Sequence, residues 1–202
     1  MKFAVLSILT IVPAFLVGSA QATPAAFRWD WRTAEWPEEA LETATLPKPE
    51  KIKIREAISR VLRHYIQEDT ERRLREQAAA TRIKIVDLTG DGVPEIIAGA
   101  ANMASGCSPT GNCPFWIFAK KERGYVSILD GFGQSFTIVK TKRRRKDIVV
   151  AMHSSATRKE LSVYRFQSGA YARVGCYEAK WPLIDDKGAT TREPRISQCG
   201  AR

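Results

Sequence analysis

The chain has 202 residues, with 32 lysines and arginines against 22 aspartates and glutamates and a formal net charge of +10. At 44% hydrophobic residues, it is long and apolar enough for one domain with a real core. Beyond the N-terminal region no long uncharged apolar run occurs, which excludes a membrane-spanning helix there.

The first residues, MKFAVLSILTIVPAFLVGSAQA, combine Lys2, an apolar run from Phe3 to Val17, and Ala20 and Ala22 around Gln21. This is the pattern of a secretory signal over 1–22, with cleavage before Thr23. Pro13 interrupts the run, which is too short for a comfortable span. Removing the signal takes away only Lys2, so +10 less 1 leaves +9. In a secreted or periplasmic setting, that excess points to an anionic envelope polymer, a lipid headgroup or an acidic protein, and away from nucleic acid. A basic surface that only aids solubility is equally consistent with it.

Residues 23–50 form an acidic leader carrying Trp29, Trp31 and Trp36. Arg28, Arg32 and Lys48 stand against Asp30 and Glu35, Glu38, Glu39, Glu42 and Glu50, three minus six, or −3. Such a segment either reaches across a basic body with its tryptophans as anchors or stays a free leader.

From 51 to 202 a single α+β domain is expected, with N-terminal helices over 51–80 packed on an antiparallel meander sheet. In KIKIREAISRVLRHYIQ, Ile54, Ile58, Val61 and Tyr65 fall at helical spacing. A second helix follows from Thr70 to Ala80 in good helix formers. Short β-type runs fill 82–180: PFWIFAK and YVSILD around the reversal KERG, then SFTIVK, DIVVAMHS, ELSVYRF and YARVGCYEA. The tail, 181–202, reads as irregular.

Four cysteines permit three pairings. Cys107 with Cys113 is preferred because SPTGN between them is turn-prone, and Cys176 with Cys199 because it pins the tail to the last strand. The spacings lack a C-x-x-C pair and neither histidine neighbours a cysteine, which disfavours zinc.

The segment with the most definite chemistry is RIKIVDLTGDGVPEIIAG, Arg82 to Gly99. Asp87, Thr89 and Asp91 alternate along the backbone, Gly92 permits a sharp reversal, and the Val93 carbonyl and Glu95 follow as further oxygens. Calcium takes such a ligand set. Gly90, Asp91 and Gly92 also suit a plain tight hairpin turn. VDLTGDGVPEII resembles the DxNxDGxxD/E turn of FG-GAP and VCBS-type repeats. That resemblance implies a calcium-stabilised hairpin with Asp87, Thr89, Asp91 and Glu95 as side-chain ligands. It covers about a dozen residues with no second copy, which excludes a repeated-blade propeller. Thr89 stands where Asp or Asn is usual, and Ala98 stands where an EF-hand would place its bidentate Glu.

The run KTKRRRK places Lys140, Lys142, Arg143, Arg144, Arg145 and Lys146 between two β runs. Like charges repel, so this hairpin tip is expected to project into solvent, as a grip for phosphate or sulfate or as a solvated turn. His153 beside Ser154 gives no catalytic pair, because strand neighbours face opposite ways and no G-x-S-x-G elbow is present. Asp130, Asp147 and Glu160 are isolated carboxylates. No catalytic residue is assigned. The reading is a non-catalytic, inhibitor-like binding protein with a basic anion-binding surface. The alternatives are a hydrolase of envelope polymers and a structural module.

Overall fold

The computed structural model describes residues 27–66, 70–182 and 193–200, and the expected signal lies outside them. Helix α1 spans Lys48–Leu62 and α2 spans Glu71–Ala80. A two-residue strand β1, Glu39–Ala40, precedes them. After them come β2 (Arg82–Val86), β3 (Glu95–Gly99), β4 (Cys113–Lys121) and β5 (Gly124–Gly133). The chain continues through β6 (Ser135–Val139), β7 (Asp147–Ser155), β8 (Arg158–Gln167), β9 (Ala170–Lys180) and β10 (Arg195–Gln198).

The fold is mixed α and β, but the single meander sheet becomes two. Strands β1 to β5 form one antiparallel sheet in sequence order, and β6 to β10 form a second. The chain passes between them at Gly133. A Cβ there would lie 2.7 Å from Val150 Cγ1 and 2.9 Å from the Ala151 carbonyl oxygen, so only glycine allows the corner. The tail also departs from expectation, because its RISQ segment pairs with β9 as β10.

Strand β4 shows why two sheets form. Phe115, Ile117 and Ala119 face a core shared with Phe136, Ile148 and Val150 of the second sheet. Trp116 and Phe118 face the opposite way, against Ile54, Ile58, Leu62, Leu74 and Ala78 of the helices. An apolar run without polar alternation belongs to a strand covered on both faces.

Helix α1 opens behind Pro47 with Pro49 and Glu50 in its first turn, where a proline loses no hydrogen bond and a carboxylate suits the dipole. It ends at Leu62, short of the expected Tyr65. Tyr65 instead lies in the following turn, edge-on to Trp116. Tyr125 of β5 donates to Glu50 Oε2 at 2.9 Å. That bond, outweighing burial and helped by Lys120 and Lys53, holds the Glu50 carboxyl below its ordinary value of 4.5. A lowered folded pKa contributes stability that is present above 4.5 and lost as pH falls through the folded value. Tyr125→Phe is therefore expected to lower the urea midpoint at neutral pH and to flatten its fall below pH 4.5, as read by denaturation at a series of pH values.

The leader crosses both sheets. Phe27 stacks on Tyr177, and Trp29 and Trp31 both meet Trp181 edge-on, on the outer face of the second sheet. Glu35 then exchanges two backbone hydrogen bonds with Phe136, and Trp36 packs on Phe115. Leu41, fully buried, ends in the helical core. The leader's carboxylates meet the basic body at Lys84 (Glu35, 2.5 Å) and Arg55 (Glu42, 2.9 Å). Disulfides join Cys107 to Cys113 and Cys176 to Cys199, the preferred pairing. Among the described residues no helix is long and apolar enough to cross a membrane.

Candidate functional site

The turn between β2 and β3 is closed by its own amides. Asp87 accepts from Gly90 N–H at 2.6 Å and Gly92 N–H at 3.2 Å, and both glycines have positive φ, +73° and +86°. Asp91 accepts from Val93 N–H at 2.8 Å, the main cause of its carboxyl sitting below the ordinary range. Glu95, only 4% exposed, takes Leu88 N–H and Thr89 N–H on Oε2 and the Thr89 hydroxyl on Oε1. The five residues expected to ligate calcium, Asp87, Thr89, Asp91, Val93 and Glu95, do lie in one loop. Their carboxylates accept from N–H and O–H donors of the same turn. Among the described residues no three His, Cys, Asp or Glu side chains gather where they could hold a metal ion. The turn as it stands is closed by these internal hydrogen bonds, and no chemistry is assigned to a cation there.

The basic run connects β6 to β7 as a hairpin, but it does not stand away from the body. Arg144 Nε donates to the Gly90 carbonyl at 2.5 Å, and Lys146 Nζ donates to the Asp87 carbonyl at 2.6 Å. Lys146 N–H reaches the Leu88 carbonyl, and Tyr171 holds the Lys146 carbonyl in turn. The two segments that the sequence marks separately form one structure. Backbone carbonyls offset the repulsion that was expected to drive the run outward. Gly90 permits the approach, since a Cβ there would lie 2.8 Å from Arg144 Cγ and 2.9 Å from the Arg144 carbonyl oxygen. Lys140 and Lys142 remain exposed beside this contact.

Between loop and hairpin lies an open cleft of about 380 Å³. Arg143, Arg144 and Arg145 line it together with Arg165 of β8, against Asp91 and Asp147, four charges less two, or +2. Asp147, 7% exposed, accepts from Arg143 at 2.7 Å and lies 3.4 Å from Arg165, fixing both guanidinium groups. Arg145 lies over the Phe166 ring, 4.5 Å from its centre. The Arg165 Nε is buried with no partner. Preorganised guanidinium forks of this kind recognise oxyanions. Sequence reasoning missed Arg165, Phe166 and the orienting role of Asp147. Asp147 directly follows the basic run, a signal that was available, whereas Arg165 and Phe166 arrive only through the pairing of β7 with β8.

The remaining candidates lie elsewhere. His153 is held through its backbone, its N–H donating to Asn112 Oδ1 and its carbonyl accepting from Asn112 Nδ2. Its Nδ1 is buried with no partner. Asp130 accepts from Ser127, and Glu160 pairs with Arg173. Compared with known proteins, the chain matches no family model, no curated protein and no solved structure.

Proposed function

We propose that this is an exported, non-catalytic binding protein that holds the oxyanion groups of an anionic envelope polymer in the cleft of Arg143, Arg144, Arg145 and Arg165. The observation that carries this reading is Asp147, which orients two of the four guanidinium groups from a buried position. Orienting arginines in advance lowers the entropic cost of gripping a ligand. Two disulfides and the absence of a membrane-crossing helix among the described residues are compatible with an extracellular or periplasmic protein. A lipid headgroup or an acidic protein would present similar charge, and the same measurement separates them.

The test is retention on immobilised heparin, compared with phosphatidylglycerol vesicles and an acidic protein column. Replacing Arg143, Arg144 and Arg145 by glutamine is expected to lower the eluting salt concentration and weaken its salt dependence. The same loss of three charges at Lys53, Arg72 and Arg75 on the helices is expected to change elution much less. Equal effects of the two triple variants, or retention unchanged by the first, would overturn the reading. Tighter binding to vesicles or to the acidic protein would reassign the partner.

A further inference from the structure

A second depression, of about 310 Å³, adjoins the arginine cleft and shares Thr89, Asp91, Arg145 and Phe166 with it. The stacked pair of Arg145 on Phe166 is therefore common to two hollows. One holds Arg143, Arg144 and Arg165, and the other holds Lys120 and Lys121. The acidic groups in them are largely engaged. Glu95 is spent on the amides of Leu88 and Thr89, and Asp147 on Arg143 and Arg165. Lys120 is spent on Glu50 at 3.3 Å. Among the described residues, Arg144, Arg145 and Lys121 have no carboxylate at ion-pair distance. Arg145 at the shared boundary and Lys121 in the second hollow thus carry positive charge with no carboxylate at ion-pair distance, while Asp91, which lines both hollows, offsets part of the charge of Arg144.

Resting on the proposed anion-binding reading, we infer that the ligand is a linear polyanion with oxyanions on successive units. One group enters the arginine hollow, the next enters the Lys121 hollow, and Arg145 contacts the chain between them. Both hollows are open to solvent, a shape that accepts a chain passing through. The Phe166 ring supports the Arg145 guanidinium from below and leaves its N–H edges for the ligand. A ligand that fills both hollows gains the second contact without a second association step, so affinity rises with chain length up to the span of the site.

The experiment measures dissociation constants for inorganic phosphate and for inorganic polyphosphate of increasing chain length, by calorimetry at fixed ionic strength. Affinity per chain is expected to rise by about tenfold or more between the single phosphate and chains long enough to span both hollows, and then to level off. Lys121→Gln is expected to remove most of that rise while leaving phosphate itself unchanged. Arg145→Gln is expected to weaken both. These residues are exposed, and melting curves check that both variants remain folded. If phosphate binds but affinity does not rise with chain length, or if Lys121→Gln leaves the rise intact, the two-hollow ligand is wrong and single-anion binding stands. If neither phosphate nor polyphosphate binds and heparin retention is also lost, the anion-binding reading itself fails. Polyphosphate is the probe for chain length, and parallel titrations with heparin fragments and polygalacturonate distinguish phosphate, sulfate and carboxylate as the preferred group.

Discussion

Glu95→Ala is expected to destabilise the protein by about 3 kcal/mol, and by roughly 6–12 °C in melting temperature at this chain size. The carboxylate is buried and accepts from two backbone amides, Leu88 at 2.8 Å and Thr89 at 3.3 Å, as well as from the Thr89 hydroxyl. Leu88 is fully buried and Thr89 nearly so, which leaves water little access to the freed donors. A buried donor left without an acceptor costs about 1–3 kcal/mol. Asp91→Ala in the same turn removes exposed interactions, chiefly with the Val93 amide and also with Thr89 and Arg144, and is expected to cost much less. Thermal denaturation of the two variants checks the contrast, and running each with calcium and with a chelator extends it. On the arrangement described, the Glu95 loss is the same with and without calcium. A calcium-dependent rise in wild-type melting temperature that Asp91→Ala abolishes would instead assign the turn to the cation.

The second large effect is expected on the outer face of the second sheet. Trp29→Ala should cost about 3–5 kcal/mol, the range for deleting a buried aromatic. Trp29 is 8% exposed, meets Trp181 edge-on at 6.2 Å, and donates from Nε1 to Thr137 Oγ1 at 3.1 Å. Trp29→Phe keeps most of the ring burial and loses the hydrogen bond, for about 1 kcal/mol. Urea denaturation of the pair checks both values. An alanine variant as stable as the wild type would show that the leader is not part of the folded body.

These two sites also show what the sequence could and could not reveal. The amphipathic spacing of Ile54 and Ile58 marked α1, and the alternation and turn chemistry marked the hairpins from β2 to β9, because those signals are local. The disulfide partners were legible from the turn-prone SPTGN and from the nearness of the tail to β9. The second sheet was not read, although PFWIFA carried the sign of it in apolar residues on both faces. Leu41, Glu35 and the RISQ strand were missed because each is defined by a partner distant in sequence. The candidate site was half legible. Its two basic and acidic segments stand out in the chain, but their contact joins residues 54 and 59 positions apart and depends on the corner at Gly133. The basic run was expected to extend because repulsion was weighed without the carbonyls that the turn presents to it.

The leader's position has a kinetic consequence. Trp29 reaches a partner 108 positions later, and Glu35 pairs with Phe136, so neither contact can form until β6 exists. Consecutive antiparallel strands can pair as soon as each neighbour is made, but closing so long a loop must wait and slows assembly. A chain emerging N-terminus first therefore holds Trp29 and Trp31 exposed until the second sheet has formed. The first described residues of the molecule are among the last to take their places.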